Sequence, residues 1–118
     1  MENMSDVYIV SAKRTPIGKF GKSLSKIKAT ELGAAAIKGV IQDSGIDKDL
    51  IEEVIMGNVI QANVGQNPAG QAAFYAGLKP EVTKNTVNVV CASGMLATEK
   101  CRQGDHAWRT RHYCFRRI

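Results

Sequence analysis

The residue whose type and setting best suit covalent chemistry is Cys91, in the stretch VNVVCASGML. It lies where a run of β-branched residues ends and a helix-forming segment begins, which is the arrangement of a nucleophile elbow. A thiol at that position would stand near the unpaired N–H groups and positive dipole end of the helix, and these favour the thiolate. Because Ala92, Ser93 and Gly94 are small, a substrate carbonyl could come close, and backbone N–H groups there could face a developing oxyanion.

Cys91 also has an ordinary structural interpretation. A lone cysteine in apolar surroundings is commonly a small buried hydrophobic residue, and the local residues by themselves favour that interpretation over catalysis. The chain's other cysteines, Cys101 and Cys114, make a set that is too small and too irregularly spaced for a disulfide framework or a zinc site. The sequence therefore predicts reduced thiols in a reducing compartment and no metal centre.

The two histidines of the chain, His106 and His112, lie close to its end and outside any recognisable motif. Neither is assigned a catalytic role, and both are expected to be exposed to solvent. Positive charge is concentrated in the same region. Residues 101–118 hold five arginines and one aspartate and so carry +4 of the net +5, whereas the first hundred residues are almost neutral. The main part of the chain therefore lacks the electrostatic footprint of a nucleic-acid-binding protein.

The bulk composition fits one modest globular domain, or part of one, because the chain has 118 residues of which 44% are hydrophobic. No apolar run approaches the roughly 20 residues that span a bilayer. The first ten residues lack the basic start and the small-residue cleavage site of a signal peptide. The expected location is the cytoplasm, with no membrane partner.

The first half of the chain alternates apolar runs with helical segments. Residues 7–10 predict a buried strand followed by a long loop. Thr30 is predicted to cap a helix with apolar residues at helical spacing, and Gly45 to end it. Asp47 is then expected to cap a short helical turn. A second buried strand is predicted over residues 54–60, interrupted by a Gly-Asn pair.

The second half continues this alternation. Asn67 and the proline after it predict the start of a helix over residues 69–76, which a glycine ends. Residues 86–90 predict a third strand that runs into a helix after Cys91. The order strand, helix, strand, helix, strand, helix indicates an α/β layered fold, in which buried strands are covered by helices on both faces.

Three separated stretches of the chain resemble the thiolase family, in the order in which the family has them. VYIVSAKRTPIGKFGKSL resembles the opening strand and loop, EVIMGNVIQANVGQNPAGQAAFYAGL the second strand, loop and helix, and TVNVVCASGML the nucleophile turn. The resemblance covers most of residues 6–99, and MGNV, GQNPA and VCASGM together form a specific signature. It implies a partial thiolase-like layered fold that comprises the first part of the N-terminal half of a thiolase.

The resemblance also implies an acyl-CoA acyltransferase with Cys91 as its catalytic nucleophile. In the family this cysteine takes the acyl group of an acyl-CoA as a thioester, and the carbanion of a second acetyl-CoA attacks it to form a 3-ketoacyl-CoA; the reverse reaction is thiolytic cleavage. CoA thioesters are then the substrates, no further cofactor is implied, and full-length relatives are homodimers or homotetramers. No residue that binds CoA is assigned.

The remaining family machinery has no counterpart in this sequence. Thiolases take a His, a second Cys and an Asn from their C-terminal half, and no matching motif occurs here, so the chain is expected to be a truncated, inactive fragment. Gly70 departs from the family, which usually has Arg there. Asn88 and the loop of residues 66–68 match family positions, and we interpret them as scaffold or subunit contacts.

The family pattern stops after Glu99, which divides the chain into residues 1–99 and an aberrant tail of residues 100–118. The tail shows neither amphipathic periodicity nor helix caps. If it is out of frame, the helix after Cys91 has only about two turns of family-like sequence, and the strand that should follow it is missing. A reverse translation with freely chosen codons, read with one base dropped at codon 100, gives ESAGRAIMPGEQDITVSGG, which resembles the continuation of a thiolase. The hypothesis is a single-base insertion near codon 100, and the nucleotide sequence of the gene tests it.

Two alternatives to a thiolase remain at this point. A related condensing enzyme, such as a ketoacyl or hydroxymethylglutaryl synthase, shares the fold and the cysteine, but GQNPA together with VCASGM favours thiolase. The other is a small binding protein whose basic tail contacts nucleic acid through its arginines and through Trp108, Tyr113 and Phe115. Acylation by acetyl-CoA and salt-sensitive retention of nucleic acid distinguish these classes.

Overall fold

The computed structural model describes residues 6–108 and 113–117, and the side chains of residues 6–103. A short 3-10 turn at Lys48–Leu50 follows the first helix. In chain order, the helices and strands are α1 (Ala29–Ser44), β1 (Glu53–Gly57), α2 (Pro68–Tyr75), β2 (Thr83–Val87), α3 (Ser93–Trp108) and β3 (Tyr113–Arg117). The predicted α/β class is confirmed.

The three strands form one parallel sheet with β1 in the centre, in the order β2-β1-β3. Glu53, at the start of β1, lies opposite Thr83 of β2 and Tyr113 of β3, and the pairing runs in step to the end of all three strands. Every residue of β1 after Glu53 is buried. A parallel strand that is buried on both faces is expected to be apolar throughout, and the sequence VIMG of β1 fits that rule.

Helices cover both faces of the sheet, as predicted from the order of the elements. On one face Val54 and Met56 of β1 pack against alanines and Ile37 of α1 and α2. On the other face Ile55 packs against Ala97 and Cys101 of α3. Side chains of a strand alternate between its two faces. The even-numbered residues of β1 therefore face α1 and α2, and the odd-numbered residue Ile55 faces α3.

The first helix differs from its prediction at its start and agrees at its end. Thr30 is not the cap; it lies inside α1 and is buried. The helix begins one residue earlier, and Glu31 accepts a hydrogen bond from the backbone N–H of Lys28 at 2.8 Å, so a side chain of the first turn satisfies the helix start instead. Gly45 ends the helix in the left-handed conformation, with φ 68°, as predicted.

The second helix begins as its sequence predicts. Asn67 is the N-cap of α2, and its Oδ1 accepts a hydrogen bond from the N–H of Gly70. The same side chain connects α2 to the sheet, because its Oδ1 accepts from the hydroxyl of Thr86 at 2.7 Å and its Nδ2 donates to the carbonyl of Lys84. The interpretation of residues 66–68 as scaffold agrees with these contacts.

Two strands have boundaries that the sequence did not indicate. The second predicted strand ends at Gly57, and Val59 and Ile60 are exposed in the loop that follows. The third was predicted over residues 86–90 but lies at Thr83–Val87. Pairing with β1 decides both, since a strand extends only as far as its neighbour offers backbone partners.

The strand predicted over residues 7–10 is wrong. The structure has no strand in residues 6–28, and the four side chains are 40 to 83% exposed. Both edges of β1 are occupied, one by β2 and the other by β3, so this apolar segment has no place beside the central strand. It is held instead to the end of α1, where Ser11 donates to Asp43 at 2.7 Å and Lys13 pairs with Asp43 at 2.9 Å.

The expectation for residues 100–118 is also wrong at the level of the backbone. The helix α3 continues past its two turns of family-like sequence and runs for 16 residues to Trp108, and the strand expected to be missing is present as β3. Backbone groups make the hydrogen bonds of a helix or a parallel ladder whatever the side chains, and the edge of β1 supplies partners for a third strand. The proposed change of reading frame is a matter of the gene and stays a hypothesis.

Candidate active site

Cys91 lies in the short connection between β2 and α3, two residues before the helix begins. Its side chain is exposed, whereas Cys101, which packs against β1 from α3, is buried. The structural interpretation of Cys91 as a small buried hydrophobic residue is therefore wrong. No acidic residue occurs in the first turn of α3, so no carboxylate of that turn opposes a thiolate at the positive end of the helix.

The connection makes a sharp turn at Val90, whose φ of 56° lies in the left-handed region. Asn88 accepts a hydrogen bond from the N–H of Val90 at 2.9 Å, and it donates to the carbonyl of Val59 in the loop after β1. Ser93, which is 1% exposed, accepts from the N–H of Val89 at 3.1 Å and donates to the carbonyl of Val90 at 2.6 Å. Two polar side chains thus fix the backbone immediately before Cys91.

The start of α3 is seated on the end of β1 at Gly57. A Cβ built on Gly57 would stand 2.4 Å from the carbonyl carbon of Ser93 and 2.6 Å from the backbone nitrogen of Gly94. Such distances leave no room for a side chain. The backbone of the helix start therefore packs directly against the backbone of the strand, and this contact sets where the helix N-terminus lies over the sheet.

Exposed apolar side chains flank Cys91 along the chain. Val90 and Met95 are 62% and 77% exposed, and Val89 is 47% exposed. Large apolar groups that are open to solvent next to a thiol can contact an aliphatic acyl group, and burial of such groups by a substrate is favourable. The immediate surroundings of Cys91 thus combine a thiol, the N-terminus of a helix and an apolar rim.

A groove of about 490 Å³ lies elsewhere on the described part of the chain. It is lined by Gly70, Gln71, Phe74, Leu78, Pro80 and Lys84. None of the residues of the turn before α3 contributes to it, so we do not connect it with the thiol. A Cβ at Gly70 would make ordinary van der Waals contacts, the nearest of them with the side chain of Asn67 at 3.4 to 3.6 Å.

The sequence identified some of these residues and missed others. It predicted that Cys91 and the small residues Ser93 and Gly94 lie together at a helix start, and in the structure they do. The strain at Val90 carries no local signal, since valine favours extended strands. Asn88 carries a weak one, because asparagine side chains commonly bond the backbone N–H two residues on, as this one bonds that of Val90. Gly57 did carry one, because an isolated glycine in an apolar strand indicates close approach of another backbone.

Several predictions fall on residues whose side chains lie outside the described part of the chain. They concern His106 and His112, for which no role was predicted, Cys114, and the basic and aromatic residues of the tail after residue 103. Among the described residues, no group of three or more His, Cys, Asp or Glu side chains is arranged to hold a metal ion.

Comparison with known proteins identifies the class. The profile of the thiolase N-terminal domain matches residues 7–104. The chain is 54% identical over 94 residues to an acetyl-CoA acetyltransferase of Schizosaccharomyces pombe, and 52% identical over 106 residues to that of Cupriavidus necator. These matches cover 80% and 86% of this chain, and 24% and 27% of the relatives. The chain belongs to the thiolase family, and it spans about a quarter of the length of the curated relatives it matches.

Solved structures agree with this assignment. The fold superimposes on the Acat5 thiolase of Ascaris suum, determined in complex with coenzyme A, with a TM-score of 0.88 and 37% identity, over 91% of this chain and 28% of that one. The thiolase-like fold predicted from the motifs is therefore confirmed. The family profile continues a few residues past Glu99, into the middle of α3, and the division of the chain at that residue stays a prediction.

The location of the protein is less closely defined. Relatives include forms named as cytosolic, in Gibberella zeae, and as mitochondrial, in Aspergillus fumigatus. In the part of the chain that the structure describes, no helix has both the length and the apolar character that crossing a membrane requires. The cytoplasmic location stays a prediction.

Proposed function

We propose that the protein to which this chain belongs is an acetyl-CoA acetyltransferase of the thiolase type, in which Cys91 accepts the acyl group. The observation that carries the proposal is the exposed thiol of Cys91 at the N-terminal end of α3, in a turn fixed by Asn88 and Ser93. The names of the relatives support acetyl-CoA as the substrate.

In the proposed first step the thiolate of Cys91 attacks the thioester carbonyl carbon of an acyl-CoA. A bond forms between Sγ and that carbon, and the C–S bond to CoA breaks, so that CoA leaves as its thiolate and takes up a proton. Negative charge develops on the carbonyl oxygen in between, and N–H groups at the helix start are suited to stabilise it. The product is an S-acyl cysteine, which divides one difficult reaction into two easier ones.

The second half-reaction needs groups that residues 6–103 do not supply. A base must remove a proton from the methyl group of a second acetyl-CoA, and its carbanion then displaces Cys91 from the acyl carbon to give a 3-ketoacyl-CoA. No histidine occurs among those residues, Cys101 is buried, and neither His106 nor His112 lies in a motif that matches the family. We therefore propose that this chain by itself stops at the acylated cysteine, and that the reaction uses no cofactor beyond the two CoA thioesters.

The test is covalent trapping. The chain is incubated with acetyl-CoA, and the intact mass and the modified peptide are determined by mass spectrometry. One acetyl group on Cys91, absent in the C91A variant and retained in the C101A variant, is the expected result. C101A is a matched control because it removes another thiol of the chain, one to which the proposal gives no chemical role.

Two results would count against this function. Acetylation that survives in C91A would assign the acceptor to another residue. A chain that takes no acetyl group but is retained on nucleic acid in a salt-sensitive way would support the binding protein considered from the sequence. Formation of acetoacetyl-CoA by the chain alone would refute the proposed arrest at the acylated cysteine.

A further inference from the structure

Val90 has a backbone conformation that is costly for its residue type. Its φ of 56° lies in the left-handed region, where the Cβ of an L-residue crowds the following carbonyl, and β-branched residues are rare there. Its side chain is 62% exposed, so no tight packing of that side chain compensates. Strain of this kind persists only where the surrounding structure enforces it.

The hydroxyl of Ser93 is placed to enforce it. The side chain is buried and bridges the two peptide groups that flank the turn, because its Oγ accepts from the N–H of Val89 at 3.1 Å and donates to the carbonyl of Val90 at 2.6 Å. The backbone N–H of Ser93 also donates to the carbonyl of Val90. These bonds close a small ring that contains Val90 and Cys91, and they fix the direction in which the chain enters Cys91.

We propose that Ser93 is a positioning residue for Cys91, holding Val90 in the left-handed conformation so that the thiol faces out of the end of the sheet. The inference rests on the proposed function, because it concerns the presentation of the same thiol. Removal of the hydroxyl leaves the N–H of Val89 and the carbonyl of Val90 without this partner, and Val90 is then free to return to a negative φ. A change in φ of Val90 changes the direction of the next residue, Cys91, and so of its thiol.

The experiment compares S93A, V90G and the double variant S93A/V90G in the full chain. Two rates are measured for each: acetylation of Cys91 by acetyl-CoA, followed by mass spectrometry, and alkylation of Cys91 by iodoacetamide. The T98A variant is the matched control, since Thr98 also donates its hydroxyl to a backbone carbonyl of α3, that of Gly94, but away from the turn. Circular dichroism establishes that each variant is folded.

Acetylation of S93A is expected to be about tenfold slower than that of the unaltered chain, because a displacement of about 1 Å between reacting groups can cost up to about a hundredfold. The V90G change should restore the rate of the double variant to within about threefold, since glycine adopts a positive φ without strain and no longer depends on the hydroxyl. T98A should keep its rate. Rescue by V90G separates positioning from general stability, because a loss of structure caused by S93A would not be repaired by a residue that adds no contact.

Equal rates in folded S93A and in the unaltered chain would overturn the role of Ser93, and so would a double variant that stays as slow as folded S93A. If S93A does not fold, the comparison passes to V90G and S93A/V90G, whose rates should agree; a tenfold difference between them would refute the proposal. Absence of acetylation in the unaltered chain, with the same order of alkylation rates, would refute the proposed function while leaving the positioning role intact.

Discussion

Gly57 in β1 and Ser93 at the start of α3 are in backbone-to-backbone contact, so close that a Cβ on the glycine would lie 2.4 Å from the carbonyl carbon of the serine. This contact places the helix N-terminus over the end of the central strand. Cys91 lies two residues before that helix, and its position therefore depends on a residue far from it in the sequence.

The G57A variant is expected to lose about 2 to 3 kcal/mol of unfolding free energy, because a methyl group here meets fixed backbone atoms and overpacking of this kind costs roughly that much. The displaced helix start should also slow alkylation of Cys91. Urea unfolding followed by circular dichroism measures the first effect, and mass spectrometry the second.

G70A is the matched control for that variant. Gly70 lies in the first turn of α2, and a Cβ there would make only ordinary contacts with the side chain of Asn67. The substitution should therefore raise the free energy of unfolding by about 0.4 to 1 kcal/mol, since alanine has less freedom to lose on folding. A G57A variant as stable as G70A would show that the contact between Gly57 and Ser93 is looser than described.

Val90→Gly should be almost neutral for stability, in contrast to the same change one residue earlier. Relief of the left-handed strain is worth about 1 to 2 kcal/mol, and it offsets the cost of about 1 kcal/mol for the freedom of glycine in the unfolded chain. Val89 is also exposed but has no positive φ, so V89G should lose about 1 kcal/mol without compensation. Equal losses in the two variants, by urea unfolding, would contradict the strain at Val90.

Three substitutions of Asn67 should differ in their effect on the free energy of unfolding. N67A removes the helix cap, at about 1 kcal/mol, and leaves a Cβ at a φ of 45° without the side-chain hydrogen bonds by which asparagine tolerates that conformation. N67G removes the cap but avoids the strain, so it should be more stable than N67A by about 1 kcal/mol. N67D keeps the oxygen that accepts from Thr86 and Gly70 and should be the mildest of the three. Thermal unfolding gives the order, and an N67A variant as stable as N67D would refute it.

Asp43 predicts a pH dependence for the attachment of the N-terminal segment. The hydrogen bond from Ser11, and after it that from Lys13, lowers the pKa of the Asp43 carboxyl below its ordinary value of 3.8. A lowered pKa means that the attachment is fully present above the ordinary value and is lost as the pH falls through the lowered one. Carboxyl chemical shifts in NMR should therefore titrate below pH 3.8, and in the S11A variant the midpoint should move up towards that value. A midpoint at or above 3.8 in the unaltered chain would show that these bonds do not form in solution.

The sequence by itself determined the helix ends that short-range chemistry controls. Asn67 followed by proline starts α2, and Gly45 ends α1, because a cap and a left-handed glycine act on backbone groups within a few residues. It also predicted Cys91 as the nucleophile, but through the family motifs, because the local residues alone favoured a buried thiol; the side chain is exposed, and its catalytic role stays a prediction.

Only the tertiary structure decided which apolar runs become strands and how the thiol is presented. Residues 7–10 have the composition of a strand, yet both edges of β1 are taken by other segments, and strand formation needs a neighbour that the sequence does not name. The left-handed turn at Val90 contradicts the preference of valine; Asn88 and Ser93 hydrogen-bond its backbone, and the contacts of Asn88 with Val59 and of Ser93 with Gly57 join this turn to the end of β1. Both outcomes depend on residues distant along the chain, and pairing between distant segments is what local propensity does not contain.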